Sequence, residues 1–224
     1  VVLSQVFVPD LARRGCPPDR VDVIPMGMLT SGEPEAAAPR SFPGTKRLLF
    51  FGRIQPYKGI EILLPAFRQV LPAHRDAELW LVGEGSLKPY RSLLEGLPNL
   101  HIVNRWVDAE EIDRCFQQTA LVLLPYTSAS QSGVIAAAAV RGIPVIATRV
   151  GGIPEQIQDG ESGRLVNPGA ADELARAIID LLDDSAAAER MGQNLAQVYR
   201  RRYNWDLIGE KVLASCLAGQ GKNP

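Results

Sequence analysis

The segment CFQQTALVLLPYTSASQSGVIAAAAVRGIPVIAT, residues 115–148, contains no charged side chain before Arg141. Its two apolar runs, residues 120–125 and 133–140, are separated by the polar stretch YTSASQS. A membrane-spanning helix needs about 20 continuous apolar residues, so this segment does not form one. The pattern instead predicts a buried strand, a loop, a buried helix and a second buried strand.

The same alternation of strands and helices continues on both sides of this segment. Strands are predicted at residues 47–51, 77–83, 100–106, 120–126, 144–150 and 163–166. Helices are predicted at residues 59–71, 86–97, 108–119 and 132–142 and from residue 170 onwards, the third with a capping box formed by Asp108 and Glu111. Strand–helix–strand units at this spacing build a right-handed parallel sheet. We therefore predict an α/β fold, a Rossmann-like parallel sheet with helices on both faces, over residues 46–184.

The composition of the 224-residue chain excludes several kinds of protein. Hydrophobic residues make up 46% and charged residues 22%, as in a globular protein with a sizeable core, and the net charge is −1. Binding to nucleic acid needs an excess of Lys and Arg on one face, so we expect no nucleic-acid partner. The three cysteines, Cys16, Cys115 and Cys216, are odd in number and far apart. That pattern disfavours disulfides and zinc sites and favours a reducing compartment, so we expect a cytoplasmic location.

The loops that follow the strands carry the functional prediction, because ligands of parallel α/β sheets bind at the carboxyl ends of the strands. The first five of these loops read GRIQPYKG, GEGS, RWVD, YTSASQSG and RVGGIPE. None matches the G-x-G-x-x-G pattern of dinucleotide sites or the G-x-x-x-x-G-K-[ST] pattern of P-loops. We therefore expect neither a dinucleotide site nor P-loop phosphoryl transfer.

Two of these loops are suited to an anion. Arg53 and Lys58 flank a turn at Pro56, and an arginine fork with a mobile lysine makes a good anion clamp. Ser132 and Gly133 begin the alanine-rich helix, where small side chains expose backbone amides and the helix dipole favours negative charge. A carboxylate in that loop would repel a diphosphate, which accounts for its lack of charge. Two solvated cations and a serine-capped buried helix are the alternatives.

Taken together, the loops and their flanking segments resemble one family. FFGRIQPYKGIEILLPAF (residues 50–67), LWLVGEGSL (residues 79–87) and residues 124–166 resemble the nucleotide-sugar-binding half of glycosyltransferase family 4, the group 1 glycosyltransferases with the GT-B fold. The resemblance implies a retaining hexosyltransferase, which moves a sugar from a nucleoside-diphosphate sugar to an acceptor hydroxyl of a glycan or lipid-linked molecule, as in polysaccharide biosynthesis. It implies no metal ion and no cofactor besides the donor.

The resemblance also implies roles for individual residues. Arg53 and Lys58 would be catalytic, because they would hold the donor diphosphate and stabilise the departing nucleotide. The loop from Arg105 to Val107 would flank the nucleobase. The full set of implied donor-binding residues is Gly52, Arg53, Lys58, Gly83, Arg105, Trp106, Val107, Ser130, Gln131, Ser132, Gly133 and Val134.

Two acids that are common in the family are absent. Family members commonly carry two glutamates eight positions apart, one for the donor sugar and one for the ribose, and these positions hold Ala129 and Ala137. A charge-assisted hydrogen bond of this kind contributes about 1.5–3 kcal/mol. The grip on the donor is therefore weaker or is made by other groups, with Ser130 and Gln131 as the available substitutes. The QSGV form itself resembles a variant subset of the family.

The resemblance divides the chain into four parts. Residues 1–30 would be the end of an N-terminal acceptor domain with its connection, residues 31–45 a linker, residues 46–184 the nucleotide-sugar-binding domain, and residues 185–224 the helices that cross back toward the acceptor domain. Because the chain begins at Val1 and carries one of two expected domains, we expect a fragment that is inactive alone. We expect no membrane span, and any peripheral membrane contact would lie in the missing acceptor domain.

Two other functions remain open. A non-catalytic relative, acting as a nucleotide-binding or scaffold module, would explain Ala129 and Ala137, although the retained Arg53 and Lys58 argue against a decayed site. A sugar-nucleotide epimerase or a phosphorylase on a related fold would need other acids or a pyridoxal-binding lysine, and we identify neither in the sequence.

Overall fold

The computed structural model describes residues 1–27 and 44–220. Six strands form its centre: β1 (Arg47–Phe51), β2 (Glu78–Val82), β3 (Leu100–Val103), β4 (Leu121–Leu124), β5 (Val145–Thr148) and β6 (Arg164–Val166). They lie in the order β3-β2-β1-β4-β5-β6, and every neighbouring pair is parallel. This arrangement confirms the predicted α/β, Rossmann-like sheet.

Helices connect the strands and cover both faces of the sheet. They are α1 (Val8–Arg13), α2 (Ile60–Val70), α3 (Arg91–Leu94), α4 (Ala109–Gln117), α5 (Gly133–Val140), α6 (Ile153–Gln156), α7 (Ala171–Asp183), α8 (Ser185–Arg202) and α9 (Trp205–Gln220). The helix predicted at residues 86–97 is wrong in length, because only a 3-10 turn at Lys88–Tyr90 and the short α3 form. Gly96 adopts a left-handed φ of 64°, which ends that segment.

Two hydrophobic cores lie on opposite faces of the sheet. One is packed by α2 and α7 and includes Phe67 and Ile178. The other is packed by α4, α5 and α8 and includes Phe116 and Tyr199. Every residue of β4 and β5 is buried, as expected for parallel strands that are covered on both faces.

The connectivity opens a crevice between β1 and β4. The chain leaves β1 toward β2 on one side and leaves β4 toward β5 on the other, so the loops after these two neighbouring strands diverge. The Thr127 amide donates to the Tyr57 carbonyl at 2.8 Å and ties the two loops together. At Gly59 the loops are so close that a Cβ would stand 1.8 Å from the Pro125 carbonyl oxygen. The crevice therefore has fixed walls at the edge of the sheet where a ligand is expected.

Residues 1–27 pack beside this crevice. The Ser4 hydroxyl donates to the Glu155 carboxylate at 2.8 Å, which fastens the N-terminal segment to the start of α6. The linker predicted at residues 31–45 falls almost wholly outside the described residues, and the division of the chain into four parts stays a prediction. Within the described ranges, no helix is both long and apolar enough to cross a lipid bilayer.

Candidate functional site

A cavity of about 1190 Å³ occupies the crevice. Its walls come from the loops after β1 and β4, from one side each of α4 and α5, and from Trp205 at the start of α9. Seven of the residues predicted from the sequence meet here. They are Arg53, Lys58, Ser130, Gln131, Ser132, Gly133 and Val134.

Lys58 is buried in this wall and has no carboxylate partner among the described residues. It is 8% exposed, and its Nζ donates a hydrogen bond of 2.6 Å to the Tyr126 hydroxyl. The same Nζ lies 4.1 Å from the centre of the Tyr126 ring, in a cation–π contact. Burial lowers the pKa of the Lys58 ammonium to about 8. A desolvated ammonium needs a compensating anion, so this position is suited to a negatively charged ligand.

Two glycines shape the loop that carries the cations. Gly52 has a φ of 111°, which favours glycine, and a Cβ there would lie in ordinary van der Waals contact with the Lys58 Nζ, at 3.5 Å. Gly83 lies outside the cavity wall, and its Cβ would stand 2.1 Å from the Gly52 carbonyl oxygen. Gly83 therefore allows the ends of β1 and β2 to lie close together. Arg53, whose side chain is exposed, reaches the cavity from the same loop.

The start of α5 is held by its own cap and by a buried glutamine. The Ser132 hydroxyl accepts a hydrogen bond of 3.3 Å from the Val134 amide. Gln156 binds both backbone groups of Ser132, accepting from its amide at 2.8 Å and donating to its carbonyl at 3.3 Å. Gln156 also donates to the Tyr199 hydroxyl at 2.7 Å. Because the first amides of a helix lack intrahelical acceptors, this rigid terminus presents positive partial charge to the cavity.

Gln131 carries an unsatisfied donor into the cavity wall. Its Oε1 accepts a hydrogen bond of 2.8 Å from the Met26 amide, which fixes the orientation of the side-chain amide. Its Nε2 is buried and has no hydrogen-bond partner among the described residues. A buried unpaired donor costs about 1–3 kcal/mol, so this group is suited to an acceptor supplied by a ligand.

The two alanines at the expected glutamate positions also line the cavity. Ala129 lies in the loop after β4, and Ala137 lies one turn into α5. Two glycines press against that loop, since a Cβ on Gly151 would stand 1.6 Å from the Ala129 carbonyl oxygen and a Cβ on Gly152 would stand 2.0 Å from that of Ser130. The glycine pair after β5 therefore sets the shape of the loop that contains the expected substitutes for the missing acids.

The loop predicted to flank the nucleobase does not line the cavity. Arg105 is engaged by Glu111 through a hydrogen bond of 2.9 Å and a second, shorter contact, and its guanidinium lowers the pKa of that carboxyl to about 2. Trp106 is 79% exposed and Val107 is buried. The loop joins β3 to α4, whose first turns do line the cavity, so a role beside the base stays a prediction. In the part of the chain described, no cluster of three His, Cys, Asp or Glu side chains is arranged to hold a metal ion.

Comparisons with known proteins agree on one family. Residues 45–184 match the family model described as "Glycosyl transferases group 1". The chain is 31% identical over 211 residues to D-inositol 3-phosphate glycosyltransferase of Segniliparus rotundus, which covers 88% of this chain and 47% of that protein. It is 28% identical to phosphatidyl-myo-inositol mannosyltransferase of Mycobacterium leprae, over 95% of this chain and 58% of that protein. The chain thus spans about half the length of the curated relatives it matches.

Solved structures share the fold of this chain. The structure of Anabaena Alr3699/HepE in complex with UDP-glucose superimposes with a TM-score of 0.82 at 20% identity, over 97% of this chain and 63% of that one. Sucrose-phosphate synthase from Thermosynechococcus elongatus superimposes with a TM-score of 0.74 at 27% identity, over 98% of this chain and 57% of that one. Because the family model matches more than half of the residues, the chain belongs to the group 1 glycosyltransferases, and its sheet has the Rossmann-like form of their GT-B fold.

Proposed function

We propose that this chain is the donor-binding half of a retaining glycosyltransferase of family 4. The whole enzyme would transfer a sugar from a nucleoside-diphosphate sugar to an acceptor hydroxyl of a glycan or lipid-linked molecule. The acceptor site would come from a second domain, which is then the partner of this chain. Support comes from the family membership and from the UDP-glucose bound to the Anabaena relative.

The observation that carries the proposal is the buried ammonium of Lys58 beside the start of α5, which has no carboxylate partner in the described part of the chain. A diphosphate placed between them would offset the charge of Lys58 and would accept a hydrogen bond from the Gly133 amide, since the Val134 amide already donates to the Ser132 hydroxyl. Arg53 would reach the same anion from the cavity rim. When the bond between the sugar and the diphosphate breaks, negative charge develops on the leaving phosphate oxygen. Groups fixed in place before the reaction stabilise that charge, which is the main contribution we assign to this chain.

No metal ion enters this proposal, because the two cations and the helix terminus would neutralise the diphosphate. The hydroxyl groups of the donor sugar would be held by Ser130 and by the Gln131 Nε2, which has no hydrogen-bond partner in the described ranges, in place of an acid at position 129. Each of these bonds is weaker than one to a carboxylate, since charge-assisted hydrogen bonds are about twice as strong as neutral ones. We therefore propose a donor site that depends on the diphosphate more than on the sugar.

A non-catalytic nucleotide-binding or scaffold module is the second candidate. The observation in its favour is that Ala129 and Ala137 leave two parts of the cavity wall without carboxylates. The buried Lys58 argues against it, because a desolvated ammonium is costly and would be lost readily from a site without a ligand.

The affinity for a nucleoside diphosphate is expected to fall at alkaline pH. Burial lowers the pKa of Lys58 from 10.5 to about 8, and a bound anion favours the charged form. The affinity is therefore highest below pH 8, where Lys58 is protonated, and declines by about tenfold for each pH unit above it. The charge of the diphosphate does not change over this range, because it is already ionised. The free energy of unfolding moves the other way and rises from pH 8 to 10.5, because the unfolded chain retains the proton that folded Lys58 has lost.

Calorimetric titrations from pH 7 to 10 measure this dependence. The matched control is Lys58→Arg, whose guanidinium keeps its charge over the whole range and should show a flat profile. A wild-type affinity that stays constant to pH 10 would contradict the assignment of Lys58 to the anion.

The test of the proposed function is calorimetry with UDP, GDP and ADP beside the corresponding monophosphates and nucleosides. We expect one nucleoside diphosphate to bind best. Its monophosphate should bind at least about tenfold more weakly, because the loss of one phosphate removes contacts to the two cations. Equal binding of nucleoside and diphosphate, or no binding of any nucleotide, would refute a diphosphate site in this cavity.

A further inference from the structure

The cavity wall contains one acidic side chain among the described residues, Asp113 of α4. It lies opposite α5, where Arg141 bridges the two helices. The Arg141 guanidinium donates one hydrogen bond to the Asp113 carboxylate and a second, of 2.9 Å, to the Ala137 carbonyl oxygen. A single guanidinium therefore joins Asp113 to the helix turn that lacks the expected glutamate.

The contact with Arg141 explains how an acid can be present in a cavity suited to a diphosphate. The positive guanidinium offsets the carboxylate charge, so repulsion of an anion bound at Lys58 is reduced. One carboxylate oxygen of Asp113 is engaged by Arg141, while the side chain remains 55% exposed. Asp113 lines the cavity, and its other oxygen takes part in no hydrogen bond among the described residues.

The position of Asp113 also separates it from the anion. Arg141 contacts α5 at Ala137, which lies four residues after Gly133. This contact is therefore about 6 Å along the helix from the terminus that would face the diphosphate. A sugar nucleotide carries vicinal hydroxyl groups on both sides of its diphosphate. A carboxylate is the strongest acceptor for such hydroxyls, and a bond from a neutral donor to it is charge-assisted.

We propose that Asp113, oriented by Arg141, binds a vicinal diol of the donor and does so from α4 instead of α5. The inference rests on the proposed function, because it takes the ligand to be a sugar nucleotide. The diol belongs either to the ribose or to the transferred sugar, since each presents two neighbouring hydroxyl groups. Asp113 contributes affinity and specificity, and it takes no part in bond cleavage.

The experiment measures how strongly binding depends on each diol. UDP, GDP and ADP are titrated beside their 2′,3′-dideoxy counterparts, and UDP-glucose, GDP-mannose and ADP-glucose are compared with the free diphosphates. In the wild-type chain, the diol that Asp113 binds should raise affinity by about tenfold or more. In Asp113→Asn this preference should shrink to about twofold or less for that diol only, while affinity for inorganic pyrophosphate should stay within about twofold.

Two further variants separate this role from a structural one. Glu110→Ala removes the same charge from an exposed position on α4 outside the cavity and should leave both preferences unchanged. Adding Ala137→Glu to Asp113→Asn places a carboxylate one turn from Arg141 and should restore the diol preference that Asp113→Asn alone has lost.

The outcomes distinguish this inference from the function on which it rests. Loss of the ribose preference or of the hexose preference in Asp113→Asn supports the inference and identifies which diol is bound. Unchanged preferences with normal nucleotide binding overturn it and reduce the Asp113–Arg141 pair to a link between helices. Failure of the wild-type chain to bind any nucleotide overturns the proposed function, and this inference with it.

Discussion

Replacing Lys58 with methionine is expected to lower the affinity for a nucleoside diphosphate by about 100-fold, with no loss of stability. The large loss follows because a charge-assisted contact in a desolvated wall disappears. Stability should stay constant or rise, because methionine fills a similar volume and removes a buried ammonium that no carboxylate of the described residues contacts. The Tyr126 hydroxyl keeps a 3.5 Å contact with the Ser132 hydroxyl, so it is not left unpaired.

Calorimetry and chemical denaturation of the same preparation measure the two effects. The matched control is Lys88→Met, which removes the same charge from an exposed position on the loop after β2, outside the crevice. It should change affinity by less than about twofold, as surface charges contribute little at ordinary ionic strength. If Lys58→Met lost stability and affinity together, Lys58 would be a structural residue instead of a ligand-binding one.

Replacing Gly59 with alanine is expected to lower the free energy of unfolding by about 2–4 kcal/mol. Gly59 has a left-handed φ of 72°, and its Cβ would stand 1.8 Å from the Pro125 carbonyl oxygen. The loops after β1 and β4 would have to separate, so nucleotide affinity should fall as well. Chemical denaturation of the wild type and of Gly59→Ala measures the loss. An unchanged m-value would show that the shift in the denaturation midpoint reflects a change in stability.

Gly169→Ala is the matched control for this prediction. Gly169 has a similar φ of 79°, but no atom lies within 4 Å of the position of its Cβ. Only the conformational cost applies there, about 1 kcal/mol. Equal losses in the two variants would show that the contact between the loops does not constrain the crevice.

Features with a local pattern were predictable from the sequence. The class of the sheet follows from the alternation of apolar runs with helices. The capping box of α4 follows from the spacing of Asp108 and Glu111, and reciprocal hydrogen bonds of 2.9 and 3.3 Å between these residues confirm it. The fifth helix begins at Gly133 with Ser132 as its cap, as the small residues indicate. The helix predicted at residues 86–97 is wrong in length, because a 3-10 turn at Lys88–Tyr90 replaces its first part.

Features that depend on distant residues were not predictable. Tyr126 holds the Lys58 ammonium across 68 positions of sequence, and Gln156 holds Ser132 across 24, and neither contact has a local signature. The pairing of Asp113 with Arg141 spans 28 positions and depends on how α4 and α5 pack. Sequence reasoning therefore identified the two loops that meet in the cavity, whereas the groups that orient them and the position of Asp113 in the cavity wall became visible only in the fold.

The most direct test of the proposed diphosphate site is a titration followed by amide nuclear magnetic resonance. Spectra of the ¹⁵N-labelled chain are recorded with increasing amounts of UDP, GDP or ADP, whichever binds best. The account predicts saturating shifts concentrated at residues 52–59 and at residues 130–134, with the Gly133 and Val134 amides among the largest. Saturating shifts confined to other regions, such as the small cavity beside α8, would contradict it, and so would the absence of any shift at millimolar nucleotide.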